Sequence, residues 1–312
     1  MPYQSISTPR FYINIYEFLA TTGYLEMPSY EGGNPGHYYT LPVNPTLHTG
    51  GESDLPFYPN ILNNPFIALL GHDMQTDYSF DVGHTAIVNG TPGSGFKGFS
   101  ISKLDAQPGV LNLNAECNVG SIVIGSYYDM PHSPDLNLTL SYEYGGIKTT
   151  ETKGGASLSN ATHTGPPAWG PLGAWELGND PDILYRTTQR SGRKIWDLSF
   201  SYLDDGDVFG SNQSLMNSTW VNEASDGYDD GDIVPDGDGN EGEFIYNLLT
   251  DDNFYSQVLH RVQGSRLPFI FQPDNNDNTN FAICKFDMKS FRFQQQAPGL
   301  YRISGLKIRE VW

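Results

Sequence analysis

One stretch of this chain has the residue types and spacing to bind a metal ion. The run from Asp226 to Glu243 reads DGYDDGDIVPDGDGNEGE. Asp236, Asp238 and Asn240 stand at alternate positions with glycines between them, and Glu243 follows. Hard oxygen ligands on a backbone free to curl are what calcium requires. These four residues are the candidate ligands, and calcium is the one cofactor the sequence suggests. The match to an EF-hand loop is incomplete. Glu241 occupies the place of the turn glycine, and Asn247 that of the bidentate glutamate. A solvated, flexible acidic loop without a bound cofactor is the favoured reading, and calcium is the minority one.

Catalytic patterns are absent from the sequence. There is no Gly-x-Ser-x-Gly elbow, phosphate-cradling glycine loop, His-Glu-x-x-His or Cys-x-x-Cys. The seven histidines are scattered. His72 and His84, with Asp73 and Asp81, are the one set that could converge on a metal or form an acid–base pair. Loop histidines beside glycine are more often surface residues. No spacing recommends a carboxylate pair for glycoside hydrolysis. The expectation is that the chain is not an enzyme.

Aromatic residues form the third group. Tyr38, Tyr39, Phe57, Tyr58, Trp169 and Trp175 sit in segments without periodicity, so nothing local requires them to be buried. Aromatics on loops anchor protein interfaces, and their flat faces also stack on sugar rings. Both readings make the chain a binder.

The elements that must position these groups are strands. Leu136, Leu138, Leu140, Tyr142 and Tyr144 alternate with polar residues, as do Trp196, Leu198, Phe200 and Tyr202, and Leu111, Leu113, Ala115 and Cys117. Period-two alternation predicts strands with one buried face. Further strands are predicted at 66–70, 85–88, 98–103, 121–127, 268–272, 281–287, 290–295 and 300–311. The 281–287 run is apolar on both faces, as a central strand should be. Helices are predicted at 15–20, capped by Asn14, and at 251–263. In the second, Phe254, Val258, Leu259 and Val262 share a stripe between a Thr250 or Asp251 cap and Gly264. The fold class is therefore all-β: a β-sandwich, jelly-roll or galectin-like, with one or two short helices and long loops. Residues 1–60, rich in Tyr, Pro, Gly and Asn, read as an extended N-terminal arm. Residues 61–312 read as the sandwich, with insertions at 146–190 and 204–243.

Composition narrows the function classes. With 36 acidic and 17 basic residues the net charge is −19, which disfavours nucleic acid and anionic membrane as partners. The basic cluster Arg186, Arg190, Arg193 and Lys194 reads as a solvated hairpin around a Ser-Gly turn. Cys117 and Cys284 lie in strand patterns and read as small buried hydrophobes. No export signal or membrane-spanning stretch is legible, so synthesis and retention in the cytoplasm are expected unless an assembly carries the chain out.

Several segments resemble virion structural proteins of tailed bacteriophages, in particular tail components of cyanophages and other aquatic phages. They are STPRFYINIYEFLATTG (Ser7–Gly23), GSYYDMPHSPDLNLTLSYEYGGIKTTETKGG (Gly125–Gly155), RSGRKIWDLSFSYLDDGDVF (Arg190–Phe209), and the closing LPFIFQPD, FAICKFD and LKIREVW. Together they touch about half the chain. The resemblance implies a subunit of the tail or baseplate that docks onto copies of itself and other virion proteins. The location implied is the virion, after synthesis in the host cytoplasm. The alternative from another class is a carbohydrate-binding, receptor-binding sandwich module that holds a glycan through loop aromatics and calcium.

Overall fold

The computed structural model describes residues 6–22, 46–48, 51–54, 62–72, 74, 78–89, 99–106, 108, 110–113, 117–143, 147–161, 168–169, 172–173, 193–209 and 251–311. Most of these lie in strands and few in helical turns, so the fold is all-β and sandwich-like. In chain order the strands are β1 (Arg10–Asn14), β2 (Thr46–His48), β3 (Gly51–Asp54), β4 (Pro65–Leu70), β5 (Tyr78–Phe80), β6 (His84–Val88) and β7 (Phe99–Leu104). Then come β8 (Val110–Leu113), β9 (Cys117–Val119), β10 (Ser121–Asp129), β11 (Thr139–Glu143), β12 (Ile147–Glu151), β13 (Ser157–Ala161), β14 (Ala168–Trp169) and β15 (Leu172–Gly173). The last five are β16 (Arg193–Asp204), β17 (Phe269–Gln272), β18 (Ala282–Phe286), β19 (Phe293–Ala297) and β20 (Leu300–Glu310).

Eleven strands join in one antiparallel sheet ordered β11-β16-β20-β18-β17-β1-β10-β4-β7-β6, with β19 also paired to β20. β2 pairs with β9, and β3 and β5 flank β8, in two small satellite sheets. The hairpins β12–β13 and β14–β15 pair only within themselves among the described residues.

Two apolar clusters lie on opposite faces of the sheet. The larger takes Phe11 and Ile13 from β1, Ile122 and Ile124 from β10, Phe269 and Phe271 from β17, and Trp196, Leu198 and Phe200 from β16. The smaller takes the alternate residues: Tyr12, Val123, Ala68, Ile101, Ile270 and Ile283. Central strands are thus apolar on both sides, as the 281–287 run predicts for β18, which lies between β17 and β20.

Two helical elements close the larger cluster. Helix α1 (Ile15–Thr21) begins at Asn14, whose side chain accepts a hydrogen bond from the Glu17 N–H, as predicted. The 251–263 stripe is fully buried, but it winds as a π-helix over Tyr255–His260, with the Asn253 side chain accepting from the Ser256 N–H at 2.9 Å at its start; Thr250 lies outside the described residues. Gly264, at φ +69°, ends the element as expected and donates to the Leu259 carbonyl.

Two expectations need correction. Residues 10–21 fall within the expected arm, yet β1 is a central strand of the main sheet, buried along its whole length, and α1 packs into the core. Arg10 is buried there because Asp129 takes its guanidinium in two hydrogen bonds of 2.6 and 2.7 Å, and Tyr127 lies 4.5 Å beneath it. Between residue 23 and residue 61 only β2 and β3 are described. The second correction concerns β11. Its alternation is real, but its apolar residues are only half covered: Leu140 is 45% exposed and Tyr142 49%, and Leu136 in the lead-in is 83% exposed.

Candidate interaction surface

The exposed end of the sheet is held by pairing between segments far apart in sequence. Among the described residues β11 pairs on one side only, with β16, running Thr139 opposite Asp197 to Glu143 opposite Arg193. The segment that leads into it is tied down by Asp135. Its N–H donates to the Ser199 carbonyl at 2.7 Å, its carboxylate accepts from the Ser201 hydroxyl at 2.9 Å, and Arg302 lies 3.9 Å away. That anchor fixes the register of residues 136–143. Leu138 turns in against the large cluster, while Leu136 stands out. At the other end of β11, Glu143 accepts from the Nε and Nη2 of Arg309 and lies 3.9 Å from Arg193, which holds β11 to β16 and β20.

Two further exposed features lie in the strand that pairs with β11 and in the hairpin that follows it in sequence. β16 carries an irregularity between Phe200 and Leu203 where it faces β20, and Tyr202 sits in it at φ +62° with 71% of its surface exposed. A non-glycine residue in that region costs roughly 1–2 kcal/mol, and here it leaves an aromatic ring in solvent. The β12–β13 hairpin follows β11 directly in sequence. It is exposed throughout residues 148–159, with Leu158 at 59%. All five large hydrophobics exposed among the described residues (Leu136, Leu140, Tyr142, Leu158 and Tyr202) belong to β11, to its lead-in, to the strand it pairs with or to this hairpin. A strand edge with unpaired N–H and C=O groups beside apolar side chains can accept a further strand or an apolar surface.

The other sequence candidates fall elsewhere. Asp236, Asp238, Asn240 and Glu243 lie outside the described residues, as do Tyr38, Tyr39, Phe57, Tyr58 and Trp175; for Trp169 only the backbone is described, in β14. No group of three or more His, Cys, Asp or Glu side chains with metal-binding spacing occurs among the described residues. His72 is buried and hydrogen-bonded to the Ser100 hydroxyl at 2.9 Å, whereas His84 is exposed and packs edge-on against Phe80. Asp81 accepts from the Val110 N–H, and Asp73 lies outside the described residues. The His72–His84 pair is therefore a core histidine and a rim histidine with separate partners. Cys117 and Cys284 are buried and form no disulfide, and burial pushes the Cys284 thiol well up. Of the basic cluster, Arg193 and Lys194 lie in β16, and Arg186 and Arg190 fall outside the described residues.

Sequence reasoning found β11 but placed its apolar face in the core. The signal it lacked was sheet position, since an alternating strand reads the same at the centre and at the edge. Compared with known proteins, the chain matches no family model, no curated protein and no solved structure.

Proposed function

We propose that this chain is a structural subunit of a tailed-bacteriophage virion. It assembles into the tail or baseplate through contacts with copies of itself and with other virion proteins, and the β11 end of its sheet is a contact surface. The virion assignment rests on the resemblance of the strand segments to phage tail components. The contact surface rests on one observation: the apolar residues of β11 stay about half exposed at a strand edge, and Leu136 in its lead-in stands out into solvent. Covering a leucine side chain contributes about 1.5–3 kcal/mol, so a neighbour seated on Leu136 and Leu140 gains affinity without new charges. The reading assigns no catalytic step. The glycan-binding alternative depends on loop aromatics and an acidic run that lie outside the described residues, and no described residue favours it.

The test is the solution mass of the full-length chain by light scattering, beside a Leu140→Lys/Tyr142→Lys variant. Both positions are half-exposed, so the variant keeps its fold, checked by circular dichroism and melting. The reading predicts a defined multimer for the native chain and a monomer for the variant. An unchanged multimer in the variant would remove β11 from the contact.

A further inference from the structure

A second surface has the opposite character. A cleft of about 580 Å³ opens where β18 and β20 run side by side, and its charged lining is Arg193, Lys285, Lys289, Arg309, Asp287 and Glu310. This volume falls in the range of about 300–1,000 Å³ typical of ligand sites. The acids on its walls are already engaged. Asp287 pairs with Lys307 at 3.1 Å, the Glu310 carboxylate accepts from the Lys194 N–H at 2.7 Å, and Glu143 is shared by Arg309 and Arg193. The lining itself carries four cations (Arg193, Lys285, Lys289, Arg309) and two carboxylates (Asp287, Glu310). Lys285 and Lys289 make no ion pair among the described residues. Glu17 also acts on Lys285, but burial pushes its carboxyl up to about 7, toward the neutral form. In a chain with 17 basic residues and a net charge of −19, this is a local reversal of sign.

We infer that the cleft formed by Lys285, Lys289, Arg193 and Arg309 binds a carboxylate-rich peptide segment of a protein partner. The chemistry of the site selects that class. Its arginines already grip a carboxylate, Glu143, and forked guanidinium groups match carboxylates well. Lys285 lies in β18 and Lys289 beyond its end, so a segment that carries several carboxylates can meet both. A duplex or single-stranded nucleic acid needs a long basic track and, for single strands, stacking aromatics. The lining supplies one short cluster inside an acidic surface. An acidic protein that associates with other acidic proteins must bring unlike charges together somewhere, since like-charge juxtaposition opposes the contact. The inference is independent of the β11 contact, because a free peptide would occupy the cleft of a monomer.

The chain's own sequence supplies a probe. Residues 226–243 carry eight carboxylates, and a labelled peptide of this sequence can be titrated by fluorescence anisotropy into three full-length proteins. These are the native chain, Lys285→Gln/Lys289→Gln, and a chain whose own 226–243 carboxylates are all changed to amides, which abolishes internal competition. Binding is expected to the native and amide-substituted chains, weakened by added salt. It should be about tenfold weaker in the lysine double variant, and lost for a peptide with Asn and Gln in place of Asp and Glu. No binding by the amide-substituted chain, or equal binding by the double variant, would overturn the proposal. Displacement of the peptide by tripolyphosphate at concentrations well below those of an unlabelled acidic peptide would overturn the carboxylate assignment in favour of a phosphate site.

Discussion

β1 and β11 are both five-residue antiparallel strands, RFYIN and TLSYE, and they have opposite fates. Every residue of β1 is buried, including Arg10, while four of the five in β11 are exposed. β1 sits between β17 and β10, so both of its faces and both of its edges are covered. β11 ends the sheet, with a partner strand on one side only among the described residues. The alternation that looks like a core signal in β11 describes a face, and what covers a face is decided by sheet order. In β1 the absence of alternation, Phe-Tyr-Ile in succession, marks a strand apolar on both sides. The molecule thus concentrates its strongest local packing in the middle and leaves a patterned, half-covered face at one end.

Truncating one side chain in each strand sets the two environments against each other. Phe11 is fully buried, with ring contacts to Phe254, Phe269, Phe271 and Phe286 at centroid distances of 5.2–6.0 Å. Phe11→Ala should lower unfolding free energy by about 3–5 kcal/mol in a denaturant titration. Leu140→Ala should change it by about 0.5 kcal/mol or less. A comparable loss at both positions would place Leu140 in the core after all.

An ionisable group beside the covered centre should make stability depend on pH. Burial raises the Glu17 carboxyl on α1 to about 7 from an ordinary value of 4.5, opposed by Lys285 and the Asn14 hydrogen bond. The folded state holds this proton more tightly than the unfolded chain. Glu17 therefore lowers stability as pH rises from about 4.5 to 7, and its cost is fully present above that window. Glu17→Gln should flatten this pH dependence and raise stability at pH 8 by roughly 2–3 kcal/mol, read from denaturant midpoints at pH 5, 6, 7 and 8. An unaltered slope would show that Glu17 is solvated.

A gain rather than a loss is expected at the rim. Tyr202 holds φ +62°, so Tyr202→Gly should be neutral or stabilising by about 1 kcal/mol while weakening multimer formation. A destabilised, fully assembled variant would make the tyrosine a packing residue.

Most of the sheet was legible because its strands carry either strict alternation or unbroken apolar runs. β10, β16, β17, β18 and β20 lie where the pattern puts them, within a few residues. β1 was hidden by Arg10 and Asn14, polar residues buried through Asp129 and through the cap on α1. The π-helix shares its buried stripe with an ordinary helix, and the pattern of apolar residues does not distinguish the two windings. Of the contact surface, the residues of β11 were visible and their exposure was not. The basic cleft was invisible for a different reason. Arg193, Lys285, Lys289 and Arg309 are separated by up to 116 positions, and only strand pairing brings them together.

Whether the β11 edge meets a neighbour is decided by placing a photo-crosslinking phenylalanine analogue at Tyr142, and in a second protein at Thr85 in β6, the strand at the opposite end of the sheet. Intermolecular crosslinks from position 142, with few from position 85, are the predicted result. A multimer whose crosslinks arise from position 85 and not from 142, or a chain that stays monomeric and uncrosslinked with its virion neighbours present, would contradict it.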